Sequence, residues 1–229
     1  VRALPTITLG AENLDRVRQG SLGLAWSVAS PGRFSIDASV TKSRYRKTVD
    51  FALPARQDVE IRDNPLTGSL TGSVFLTPDL VLYGGHVRGF EDAVVAPDVA
   101  INQGDAPPAL RTRQSDLGLR YALPGNLRLV AGLFSITKPY YNLDPALRYR
   151  QLGELTNRGV EVSLTGQLAP GLTIVGGSLF LDPTISGEAV DTRLIGPRPV
   201  GQIRRRSVAT IDWRMGEGHG PLSLDASVE

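Results

Sequence analysis

Strict alternation of apolar and polar side chains, sustained over unusually long segments, constrains this sequence more than any other feature. Gly20, Leu22, Leu24, Trp26 and Val28 present one face, and Gln19, Ser21, Gly23, Ala25 and Ser27 present another that is small and polar. Phe34, Ile36, Ala38 and Val40 then oppose Ser35, Asp37, Ser39 and Thr41. The pattern returns in Leu66, Gly68, Leu70, Gly72, Val74 and Leu76 against Thr67, Ser69, Thr71 and Ser73. Ser115, Leu117, Leu119 and Tyr121 oppose Gln114, Asp116, Gly118 and Arg120, and Val160, Val162 and Leu164 oppose Glu161, Ser163 and Thr165. Ala209, Ile211, Trp213 and Met215 face away from Arg206, Thr210, Asp212 and Arg214, with Val208 the exception. A period of two residues is the signature of a β-strand with two unlike faces. Asp79 to Gly89 and Leu127 to Ile136 are apolar on both faces, as expected where the chain packs on something inside.

Turn chemistry divides these strands at a nearly constant interval. Ser30-Pro31-Gly32, Thr77-Pro78-Asp79, Pro124-Gly125-Asn126, Pro170-Gly171 and the Gly216 to Gly220 run combine a proline that presets φ with residues that tolerate positive φ. Positions 32, 78, 125, 171 and 218 lie 46, 47, 46 and 47 residues apart. Each period therefore holds two strands, one tight turn and one long polar segment. The long segments are roughly 46–65, 91–109, 139–149 and 182–201, and no helix is expected. About ten strands result.

Such strands fit a soluble sandwich, a propeller or a membrane barrel. A propeller blade has a comparable period but needs four short strands and a recurring signature. The alternating runs here reach about ten residues, beyond the five or six usual in globular sheets and close to the 9 to 11 that cross a bilayer. Because lipid offers no hydrogen-bonding partners, a membrane sheet has to close. The expected fold is thus all-β, an antiparallel up-and-down transmembrane β-barrel fragment of about ten strands. Residues 1–229 are read as part of one barrel domain. The chain starts at Val1 without a methionine or a leader-like segment, and ends on Ala-Ser-Val-Glu where membrane barrels of bacteria, as a family, usually carry an aromatic, so an incomplete barrel is expected.

Composition removes other classes. With 25 Lys and Arg against 23 Asp and Glu, the net charge of +2 lacks the concentrated positive charge of a nucleic-acid binder. No cysteine is present, which excludes disulfides, thiolate metal sites and cysteine nucleophiles. No nucleophile elbow, phosphate-binding loop or dinucleotide fingerprint appears, so no catalytic residue and no cofactor is assigned. Of the two histidines, His86 falls on the inward face by parity and His219 in a turn, and their separation argues against a metal site.

Four segments in order resemble the β-barrel domain of TonB-dependent outer-membrane receptors, above all those that import ferric siderophores. They are Leu76-Thr77-Pro78-Asp79-Leu80-Val81-Leu82-Tyr83 running on to Gly89-Phe90, Gln114 to Tyr121, Leu133 to Pro139, and Asn157-Arg158-Gly159-Val160-Glu161-Val162-Ser163-Leu164-Thr165-Gly166 followed by Pro170-Gly171-Leu172. Asp116 stands where the family usually has glutamate. The resemblance covers roughly residues 14–215. It implies a bacterial outer-membrane location and a 22-stranded barrel plugged by a separate N-terminal domain. It also implies a ferric siderophore or similar nutrient as ligand, and drive from the TonB complex. Neither plug nor TonB box is recognisable here, so plug and C-terminal strands are expected to belong to a larger parent protein. Alternatives are a passive porin-like barrel and a soluble β-rich binding module.

Candidate ligand-binding residues are Tyr140, Tyr141, Arg148 and Tyr149, with Arg150 nearby, since siderophores are anionic or aromatic. The competing and preferred reading of these tyrosines is an interfacial aromatic belt. Asp116, Arg120, Glu161, Arg204 and Arg206 are expected to face the lumen, toward a plug or water. Arg193, Arg198 and Arg204-Arg205-Arg206 look like an anion funnel, but a barrel wall accounts for them better. Arg205 is then expected at the outer rim against outer-membrane lipid and lipopolysaccharide.

Overall fold

The structure, a computed structural model, describes residues 14–51 and 58–214 and the backbone of 223–228. Its strands are β1 Leu14–Ser30, β2 Phe34–Asp50, β3 Val59–Asp63, β4 Leu66–Phe75, β5 Leu80–Glu91 and β6 Leu110–Leu123. They continue with β7 Leu127–Leu143, β8 Tyr149–Ala169, β9 Leu172–Ser186, β10 Arg205–Arg214 and β11 Ser223–Val228. Ten of these form one antiparallel meander in the order β1-β2-β4-β5-β6-β7-β8-β9-β10-β11, and β3 pairs with β2 alone. Among the described residues the sheet is not closed, since β1 and β11 end the path. This is the expected partial barrel wall.

β3 and β4 follow one course along β2. Tyr45 pairs with Asp63 and Lys42 with Leu66, which is the same register on either side of the break. Pro65 interrupts the ladder because it has no N–H to donate, yet its carbonyl still accepts from the Ser43 N–H at 3.0 Å.

Register carries the alternation across the whole sheet. Leu24 pairs with Val40, Val40 with Gly68, Leu117 with Leu133, Leu133 with Val160 and Val160 with Phe180. One side of the sheet is therefore apolar from β1 to β10. Its side chains are uncovered: Leu22 is 81% exposed and Leu24 78%. Left in water, each leucine would forgo roughly 1.5–3 kcal/mol of transfer free energy, and a patch this wide has no place on a soluble monomer. Lipid contact resolves the conflict. Trp26, Phe34, Tyr121 and Trp213 share this side near the short turns, where an aromatic girdle meets the membrane interface.

The opposite side mixes small hydroxyls with large rings. Ser21 bonds Ser43, Ser35 bonds Ser73 and Ser39 bonds Ser69 at 2.8–2.9 Å across β1, β2 and β4. Farther along, the Tyr83 ring lies over Gly118, where a Cβ would come within 2.5 Å of its hydroxyl, and the Phe134 ring lies over Gly159. These rings, with Val81, Val87, Val130 and Ile136, explain why β5 and the first half of β7 are apolar on both faces. Val208, the exception in β10, pairs with Gly177 and lies on this polar side.

His86 corrects an expectation. It pairs with Leu70 and Ser115, which puts it on the apolar side rather than inward. In a strand apolar on both faces the phase cannot be read from the strand itself, and neighbouring strands decide it. His219 and the turn at Gly216 to Gly220 lie outside the described residues.

At three of the four long segments pairing outlasts alternation, while the segment from 91 to 109 falls between β5 and β6 as expected. β2 runs to Asp50 and β9 to Ser186, and only five residues, 144–148, separate β7 from β8. Beyond the lipid, a strand no longer needs an apolar face, so the ladder persists without its sequence signature. A four-residue helix, α1 Glu188–Asp191, lies between β9 and β10 where no helix was expected.

Candidate functional site

Within the span of the apolar band, the polar side brings together residues far apart in sequence. Asp37, Asp116 and Arg120 line one depression of about 350 Å³ with Ser35, Thr71 and Tyr83. The Arg120 guanidinium lies 5.6 Å from the Tyr83 ring centroid. Glu161 pairs with Gly132, and its carboxylate and the Tyr83 hydroxyl both approach that glycine. The small residues at 118 and 132 let Tyr83 lie flat across two strands toward Glu161. Arg206 shares this side through its pairing with Leu179. A wall of this kind offers carboxylates, a guanidinium and hydroxyls to a protein surface or to water. Among the described residues no group of three or more His, Cys, Asp or Glu is arranged to hold a metal ion.

Arg204 departs from its expected place. It precedes the first ladder residue of β10, so alternation does not govern it, and it reaches Asp182 at 3.6 Å on the apolar side's parity. Arg198 also binds Asp182, at 2.8 Å. Arg205 lies 5.3 Å over the Phe180 ring, on the apolar side. The run of arginines is thus divided among separate partners and forms no funnel.

At the long-loop end, Tyr140 and Tyr141 are consecutive residues of β7 and so point to opposite faces. Tyr141 meets Tyr149 with ring centroids 5.9 Å apart, while the Tyr140 hydroxyl accepts a bond from Asn142 Nδ2 at 2.8 Å. Burial raises the pKa of both Tyr141 and Tyr149. Tyr141 stands eight residues beyond Leu133 in the same strand, about 26 Å along it. Strand tilt of about 35–45° places Tyr141 roughly 20 Å above Leu133. Arg148 is exposed in the intervening loop, which Asp144 shapes by accepting the N–H groups of Ala146 and Arg148 at 3.0 and 2.9 Å and Arg150 Nε at 2.8 Å. The Arg150 hydrogen bond, foremost, holds the Asp144 carboxyl below its usual range.

Two further clusters were not anticipated. Lys47, 1% exposed, places Nζ 2.8 Å from Asp15, 2.9 Å from Asp92 and 2.8 Å from the Ala93 carbonyl. The Tyr45 hydroxyl donates to Asp92, and its ring meets Phe90 edge-on at 5.9 Å. The group lies above the apolar band, since the facing side chains on the other side of β2 are Arg44, Arg46 and Thr48. Burial works against the Lys47 cation, but its bonds to Asp15 and Asp92 outweigh this and raise its pKa. Burial likewise works against the Asp92 anion, and the bonds from Tyr45 and Lys47 outweigh that and lower its pKa. The alternation of Tyr45, Lys47 and Val49 against Arg44, Arg46 and Thr48 was the available signal. Asn102 forms the second cluster: its side chain accepts the Tyr149 N–H and donates to the Tyr149 carbonyl, both at 2.8 Å. It ties the β5–β6 loop to the first residue of β8, and nothing local in the sequence announces it.

A long antiparallel wall, apolar and uncovered on one side and polar on the other, defines a piece of an outer-membrane β-barrel. Residues 8–224 match the family model described as TonB dependent receptor-like, beta-barrel, and the chain belongs to that family of bacterial outer-membrane proteins. Over 128 residues it is 29% identical to the ferrichrome receptor FcuA of Yersinia enterocolitica, covering 52% of this chain and 16% of that protein. BauA, the ferric preacinetobactin receptor of Acinetobacter baumannii, aligns with a TM-score of 0.73 at 23% identity over 93% of this chain and 32% of its own. FyuA, the ferric yersiniabactin uptake receptor of Yersinia pestis, aligns at 0.73 and 16% identity over 94% and 34%. The chain spans about a third of the length of these structures.

Proposed function

We propose that this chain is part of the wall of a receptor that takes up a ferric siderophore, or a similar scarce nutrient, across the outer membrane with energy from the TonB complex. The observation that carries this reading is the family match over nearly the whole chain, and the ferric-chelate receptors among the similar proteins supply the ligand class. In this reading the chain transports and does not catalyse. The polar side lines the lumen, and Asp116, Arg120, Glu161 and Arg206 meet a plug domain supplied by the rest of the parent protein. Their charges suit hydrogen-bonded docking of a folded domain rather than an apolar seal. Arg205 contacts outer-membrane lipid from the other side.

Ligand capture falls to the long-loop end, where Tyr140, Tyr141, Arg148 and Tyr149 offer aromatic surface and positive charge. Deleting the parent gene and measuring growth on defined iron chelates tests the substrate class. Loss of growth on one chelate is expected, and undiminished uptake of every chelate overturns the reading. Within it, Tyr141→Ala and Tyr149→Ala are expected to weaken ligand binding with the barrel still folded. Unchanged affinity together with a less stable barrel removes them from the site.

A further inference from the structure

We infer that the membrane-facing surface of β1, β2 and β3 binds the phosphate groups of a lipopolysaccharide headgroup through Arg18, Arg44, Arg46 and Arg62. The inference rests on the outer-membrane reading above and adds a lipid site to it. Arg18 pairs with Arg46, and Arg46 with Arg62, so three guanidinium side chains stand in one row across three adjacent strands. Arg44 follows one position nearer the membrane on the same side, opposite Gly20. All four line a single depression of about 590 Å³.

Like charges placed directly opposite one another destabilise a sheet, so this row needs a partner. The nearby carboxylates are largely committed. Glu60 bridges Arg46, at 2.7 Å, and Arg62, while Asp63 is held by Arg111 at 2.8 Å. Among the described residues Arg18 and Arg44 have no carboxylate partner. An anion lying between them would turn the repulsion into attraction, and guanidinium groups bind phosphate oxygens in paired hydrogen bonds.

Position identifies the anion. Leu22 and Leu66, with Lys42 between them, form the outermost row of the continuous apolar band, and the next two rows outward carry Arg44 and then Arg18, Arg46 and Arg62. Two rows are ~13 Å of strand, shortened by tilt to the depth of a headgroup layer. These residues are at the long-loop end, which in outer-membrane barrels faces outward. The row spans two strand spacings, about 10 Å, which suits a headgroup bearing more than one phosphate better than a phospholipid with one.

The test uses the full-length parent receptor, purified free of lipid, and bisphosphorylated lipid A as the probe. In the Arg18→Gln/Arg44→Gln variant, lipid A retention is expected to fall about tenfold or more, as for loss of charge-assisted contacts. Without lipid, the same variant is expected to melt at or above the temperature of the parent, because a repulsion has been removed. Arg198→Gln, whose arginine is paired with Asp182, serves as control and is expected to bind normally. Equal retention by variant and parent, or phosphatidylglycerol retained as well as lipid A, overturns the site. Should the double variant fail to fold, Arg44→Gln alone is read in the same way. Fractionation separates the two levels: a parent absent from the outer membrane defeats the underlying reading, whereas a parent present there with unaltered variant binding defeats only the lipid site.

Discussion

The two halves of this sheet are held by different surroundings. From the short turns up to the row of Leu22, Lys42 and Leu66, the apolar side chains are uncovered, and among the described residues of that stretch only Val81 joins the buried apolar set. Beyond it, Tyr45, Val49, Leu152, Leu155 and Ile185 are buried with alanines of the β5–β6 loop, Ala93, Ala96, Ala100 and Ala109. One half relies on lipid for its apolar contacts and the other builds a protein core from its own loops. The difference teaches that exposure has opposite meanings in the two halves, so equivalent substitutions have opposite consequences.

The largest expected effect comes from placing charge in the lipid-facing half. Leu70→Arg, at the middle of the apolar run Leu66 to Val74, is expected to destabilise the folded barrel by about 2–4 kcal/mol, whereas Ser135→Arg, in a polar position nearer the loops, changes it by about 0–1 kcal/mol. Urea unfolding in lipid vesicles checks this, and equal penalties would abolish the distinction between the rows. In the loop half, Lys47→Met leaves Asp15 and Asp92 facing each other without their cation. A loss of about 2–3 kcal/mol is expected there, less than for a fully buried pair because both carboxylates are partly in water. Hydrogen exchange would show faster opening in the β5–β6 loop with β1 and β2 unchanged below Leu22. A uniform change along the sheet would mean that the halves are not independent.

Gly118→Val sharpens the comparison from the polar side of the membrane half. The new side chain collides with Tyr83, so a loss of about 1–3 kcal/mol is expected, and Tyr83→Ala in the same chain should restore part of it. The smallest effect is that of pH on the loop half. Asp92 has a lowered pKa, so its contribution is complete above the unfolded value of about 3.9 and is lost as pH falls through the lower folded value. Lys47 has a raised pKa, so its contribution is complete below about 10.4 and is lost as pH rises through the higher folded value. Protease cleavage in the β5–β6 loop should therefore be slowest between these limits, and a flat profile would show that the Lys47 cluster does not hold the loop.

The membrane half was largely readable beforehand, because lipid on one side forces every second residue to be apolar. Leu22 to Val28 and Val160 to Leu164 announced themselves in this way, and proline and glycine marked the short turns at 30–32, 77–79, 124–126 and 170–171. The loop half was not, because there both sides of the strand meet water or protein and the alternation has no reason to continue. That is why β7 reaches Tyr140 and Tyr141 as strand, sending them to opposite faces, and why Arg204 escapes the parity that holds for Arg205 and Arg206.

What residue order alone determined is the strand period, the turn positions and which side of most strands is oily, since each follows from neighbours one or two residues away. The phase of His86, the partners of Arg204, the Lys47 cluster and the arginine row of β1, β2 and β3 were decided only when strands paired. Those features depend on which residues of separate strands come to lie side by side, and register between strands is a property of the assembled sheet.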